Sequence, residues 1–87
     1  MQGALYPVMN SNEAVNVVEL LKEGKTFEYS NYHEGSREKY FYDRKSGLFI
    51  HSVQYAHSSD RTEQLSEKEF LSTLGNFRYD EFLECIT

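Results

Sequence analysis

From Phe27 to His57 this chain sets rings among polar residues, with two-residue alternation at Lys25–Tyr32, and that pattern commits its middle to an antiparallel sheet. Phe27, Tyr29, Tyr32, Tyr40, Phe41, Tyr42, Phe49 and Tyr55 fall there, together with all three histidines, His33, His51 and His57, and the chain has no tryptophan. A sheet has two faces. In 87 residues there is room for one helix layer, so one face is expected to be core and the other, carrying tyrosines and histidines, to be the place of function. No motif names a reaction or a ligand.

The length fits a single domain over residues 1–87. A chain of this size buries roughly 60–65% of its unfolded surface, enough for one modest core. With 39% hydrophobic and 26% charged residues it has the composition of a folded domain. The net charge of −5 is concentrated at one end. Residues 58–87 set Asp60, Glu63, Glu67, Glu69, Asp80, Glu81 and Glu84 against Arg61, Lys68 and Arg78, while the ring-rich middle is neutral. An acidic end repels phosphate backbones and attracts basic surfaces, which argues against direct nucleic-acid binding. The one cysteine, Cys85, excludes an internal disulfide framework. No apolar run approaches the roughly 18–20 residues of a membrane span, and residues 1–9 lack the pattern of a signal peptide. A cytoplasmic location is expected.

Along the chain, Met1–Met9 reads as an apolar extended lead-in. Asn10 and Glu13 form a capping-box-like start, and Ala14, Val17, Val18 and Leu21 then share one helix face. Gly24 suits a left-handed helix stop. Lys25–Tyr32 alternates as a strand, Glu38–Asp43 is a second, and Leu48 to about His57 a third. Arg44–Gly47 joins the last two as a four-residue hairpin loop, with positive φ at Gly47. If Asp43 faces Leu48, Tyr42 faces Phe49, Tyr40 faces His51, Glu38 faces Val53 and, on the other face, Phe41 faces Ile50; a one-residue change in loop register exchanges these partners. Ser58–Glu63 reads as a polar loop. Ser66 with Glu69 is a full capping box, flanked by Leu65 and Phe70 as a hydrophobic staple. Tyr79, Phe82, Leu83 and Ile86 suggest a short last helix. The expectation is an α+β fold of order αβββαα: a three-stranded antiparallel meander with its helices mainly on one face, anchored by Phe41, Leu48 and Ile50.

Four chemistries can be weighed on the remaining face. A shared metal site fails on distance, because six strand residues put His51 and His57 roughly 20 Å apart; no metal or other cofactor is expected. Glu38 and His51, with Arg37 at the strand start, have the base, acid and phosphate-clamp residue types of a small RNA-cleaving site. Tyr40, Tyr42, Phe49 and Tyr55 could stack bases, but without the basic surround that RNA platforms carry. Cys85 beside Glu84 sits where a thiol pKa is raised, which suits no nucleophile.

Protein recognition fits the composition best, because tyrosine offers large contact area at little entropy cost. The leading expectation is therefore a non-enzymatic binding module for a partner protein with a basic or nucleic-acid-binding surface. Inhibitors of the immunity or anti-defence kind are analogous in size and acidity. Contact falls to Tyr40, Tyr42, Phe49, His51 and Tyr55, with Asp80, Glu81 and Glu84 steering. An RNA-binding or RNA-cleaving domain using Glu38, Arg37 and His51 is the alternative, and a structural homodimer the third.

Overall fold

The structure, a computed structural model, describes residues 8–33, 35–57 and 59–87. Most of the expected lead-in lies outside them. Met9 is buried, and its N–H donates to the Phe77 carbonyl at 2.8 Å.

Helix α1 spans Ser11–Lys22. The Asn10 side chain accepts the Glu13 N–H and the Glu13 carboxylate accepts the Asn10 N–H, so the capping box is complete. Its Ala14, Val17, Val18 and Leu21 are the buried stripe; burying each of the three larger ones stabilises the fold by about 1.5–3 kcal/mol. Gly24 ends the turn at φ 106, a conformation that costs glycine nothing.

The sheet follows as a meander: β1 Phe27–Asn31, β2 Ser36–Asp43, β3 Leu48–Tyr55 and β4 Arg61–Leu65, in spatial order β1-β2-β3-β4, all antiparallel. The register of the β2–β3 hairpin is the expected one, with Tyr42 opposite Phe49, Tyr40 opposite His51, and Phe41 opposite Ile50. Asp43 closes the loop: its carbonyl accepts the Gly47 N–H and its carboxylate accepts from Lys45 N and Ser46 Oγ. Gly47 takes φ 72.

The fourth strand corrects the expected three. Arg61–Leu65 overlaps the expected polar loop, and Arg61 to Gln64 are all exposed. An edge strand needs no alternation of apolar residues when only its last member, Leu65, reaches the core.

Helices α2 (Glu67–Leu74) and α3 (Tyr79–Glu84) complete the layer. Ser66 and Glu69 form the second reciprocal capping box. After α3 the chain returns to the sheet: Thr26 and Thr87 exchange backbone hydrogen bonds, and Glu28 N–H donates to the Cys85 carbonyl. The outer edge of β1 is thereby partly closed.

The helices do lie on one face, but on the face opposite to the expected one. Phe49 is fully buried and Tyr40 is 3% exposed. Phe49 stacks on Phe70 with centroids 4.5 Å apart, and Phe27 stacks on Phe82. Phe27, Tyr40, Phe49, Phe70, Leu74 and Phe82 join the α1 stripe in one cluster. The other face holds Phe41, Leu48 and Ile50. None of these three belongs to the core cluster under the helices; the Lys39 ammonium sits 5.5 Å from the Phe41 ring centroid, and Ile50 is 7% exposed. Side-chain aliphatic stems cover apolar surface in this way while their charged heads stay in water.

Candidate functional site

Past Tyr40 and Tyr29 the helix-facing side of the sheet turns polar. The alternation of each strand brings Tyr29 and Asn31 of β1, Ser36 and Glu38 of β2, His51, Val53 and Tyr55 of β3, and Arg61 and Glu63 of β4 to this one surface.

Glu38 is at its centre and is 7% exposed. Its Oε1 accepts from the Tyr29 hydroxyl at 2.9 Å and lies 2.7 Å from His51 Nε2; its Oε2 accepts from Asn31 Nδ2 at 3.2 Å. Burial works against the charge, but the hydrogen bonds from His51, Asn31 and Tyr29 outweigh it and hold the carboxyl below its ordinary range. An ionised carboxylate only accepts, so His51 carries its proton on Nε2, and Nδ1 is the ring nitrogen left for other chemistry. The imidazole is fixed from the other side as well. It lies parallel to the Tyr40 ring, with centroids 4.2 Å apart. Burial, then the nearby Glu38 and Glu63 carboxylates, push the Tyr40 phenol well above its ordinary pKa.

Two cavities flank Tyr55. One of about 210 Å³ is lined by Glu38, His51, Val53, Tyr55, Arg61 and Glu63 among others. The other, about 390 Å³, wraps the end of the sheet between Asn31, Tyr32, Ser36, Tyr55 and Ala56. Beside the second stands Tyr32, 91% exposed in the β1–β2 turn. Ser36, a neighbour of Asn31 and Tyr55 in the sheet, buries a hydroxyl that has no hydrogen-bond partner among the described residues.

The expected contact residues are scattered by this fold. Tyr40 and Phe49 are core and offer no surface to a partner, which corrects their placement; both sit under the helix layer. Tyr42 is half-buried, with the Lys22 ammonium 5.8 Å from its ring. His51 and Tyr55 are half-buried at the polar end. Asp80 and Glu81 are exposed on α3, where Arg78 pairs with both at 2.6 and 2.8 Å, and Glu84 is exposed in the same helix. Arg37 is on the far side of the sheet, paired with Glu28 at 2.7 Å, and so does not join Glu38 and His51. Cys85 is half-buried, and burial followed by Glu84 and Glu81 raises its thiol pKa.

Arg61, Glu63 and Tyr32 are among the residues of this surface that escape the sequence reading. Arg61 and Glu63 fall in the expected loop, and their two-residue spacing before Leu65 is the available sign of a shared strand face. Tyr32 falls in the expected alternating strand, although its place beside His33 and ahead of Gly35-Ser36 marks the turn where a ring finds no cover.

Among the described residues no three His, Cys, Asp or Glu side chains gather as a metal site, and no helix is long and apolar enough to cross a membrane. The chain matches no protein-family model, and neither the curated proteins nor the solved structures contain a match to it.

Proposed function

We propose that this chain is a non-enzymatic protein-binding module whose contact surface is the polar end of the sheet around Tyr32 and Tyr55. The observation that carries it is Tyr32: a whole tyrosine ring, 91% exposed, beside a cavity lined by Tyr55 and Ala56. Aromatic side chains standing next to pockets are the usual anchors of protein interfaces, with an apolar body to bury and a hydroxyl to satisfy. The partner would present a basic surface, in keeping with the net charge of −5 and the exposed carboxylates of α3, which favour encounter at long range. Inhibition of a nucleic-acid-binding protein, of the immunity or anti-defence kind, is the role this chemistry suits. Affinity capture with the immobilised full chain tests it: a protein retained by wild type and lost from a Tyr32→Ala, Tyr55→Ala variant of unchanged circular dichroism supports the surface. Equal retention by both refutes it.

A second reading rests on the 2.7 Å contact between Glu38 and His51. A carboxylate that orients an imidazole through one nitrogen frees the other for acid–base work, and Arg61 lines the same cavity where an RNA phosphate would bind. RNA cleavage by the purified protein, abolished in His51→Ala, would replace the binding reading with this one.

A further inference from the structure

We infer that β4 is a dimerisation edge, on which a second copy of this chain adds its own β4 in antiparallel register centred on Thr62.

The two edges of the sheet differ. On β1 the backbone is partly occupied by Cys85–Thr87, through the Thr26–Thr87 pair and the Glu28 to Cys85 bond. On β4 the strand pairs with β3 alone, and among the described residues no backbone group of 61–65 is engaged on the outer side. An unpaired strand edge is a template for another strand.

The side chains choose the occupant. Arg61 and Glu63 share the helix-facing side of β4, and among the described residues neither belongs to an ion pair. In an antiparallel pair opposite residues must share a face, so two copies of β4 meet only with a two-fold axis through a residue. An axis through Glu63 or Arg61 sets like charges directly opposite each other. An axis through Gln64 sets Glu63 against Leu65. An axis through Thr62 sets Arg61 of each copy against Glu63 of the other, twice, with Thr62 facing Thr62 and Asp60 facing Gln64 on the other face. Opposite charges directly across strands favour a pairing and like charges oppose it. The sequence Arg61-Thr62-Glu63 is thus self-complementary in one register, and the second copy is the occupant that satisfies both charges. The resulting sheet would run continuously through eight strands, with each copy's Arg61 at the mouth of the other's His51 cavity, since Glu63 is the β4 neighbour of His51.

Sedimentation velocity on the full chain tests this over a range of loading concentrations. Wild type is expected to sediment with twice the mass of the 10.2 kDa protomer. Arg61→Glu and Glu63→Arg, both at exposed positions, should each lose the dimer while keeping the wild-type circular dichroism spectrum. Mixing these two variants should restore it, because the two strand carboxylates of one chain then face the two guanidinium groups of the other. The doubly exchanged chain should dimerise with itself. A wild type that stays monomeric at every concentration overturns the inference. So do single variants that still dimerise, or a mixture that fails to. Tyr32 and Tyr55 are intact in all these chains, so partner capture reports separately on the binding surface.

Discussion

The ring of His51 stacks on that of Tyr40 at 4.2 Å with planes 3° apart, and this contact joins the apolar core to the polar end of one sheet face. Tyr40 belongs to the cluster under the helices, while His51 reaches Glu38 and borders an open cavity. The two are cross-strand partners, so the hairpin register alone brings them together.

Because the helices cover the Phe49 side, Phe49→Ala should destabilise the fold by about 3–5 kcal/mol, the cost of truncating a buried ring. Phe41→Ala, on the open side, should cost about 1 kcal/mol. Urea denaturation of the two variants checks the assignment, and reversed magnitudes would contradict it.

Glu38 should contribute to acid sensitivity. Its folded pKa is depressed, so the stability it supplies is fully present above the ordinary carboxyl range and is lost as pH falls through that range to the lower folded value. Glu38→Gln should flatten the dependence of stability on pH below about 4.5, the ordinary glutamate value. Glu38→Ala, which removes the acceptor shared by Tyr29, Asn31 and His51, should cost on the order of 1–3 kcal/mol at pH 7. Denaturation midpoints across pH read both.

Ser66→Ala removes the side chain that caps α2 at Glu69 N and should cost about 1 kcal/mol. The same change at Asn10 should cost a similar amount, since its box has the same two bonds. Thermal denaturation measures each.

Gly47→Ala should lose roughly 1 kcal/mol, because φ 72 closes the β2–β3 loop and a Cβ disfavours that region. The space around it is open, so the loss, read by the same thermal denaturation, would report backbone conformation alone.

These elements are legible in the sequence to different degrees. The β2–β3 register can be read only conditionally, because a one-residue change in the loop would exchange the partners; the Asp43–Gly47 closure pairs Tyr42 with Phe49. Both capping boxes can be read because their chemistry is local. Which face becomes core cannot, since Phe41, Leu48 and Ile50 on one side match Tyr40, Phe49 and Val53 on the other in apolar content. The choice is made by distant residues: Phe70 stacking on Phe49, and Phe82 on Phe27. Strand β4 is hidden because Arg61 to Gln64 are polar and exposed, and only the neighbouring β3 makes them a strand. The Glu38–His51 pair is visible as a diagonal of the register, whereas Arg37 departs from it because its own strand position sends it to the opposite face from Glu38.

The binding claim is tested most directly by titrating a captured partner into the full chain by calorimetry, with Tyr32→Ala, Tyr55→Ala and Phe41→Ala in parallel. Tyr32→Ala is expected to weaken affinity by about tenfold to a hundredfold, as removing an interface anchor does, with a similar loss for Tyr55→Ala and little change for Phe41→Ala. Wild-type affinity in both tyrosine variants, with loss in Phe41→Ala, would place the contact on the open face of the sheet and contradict this account.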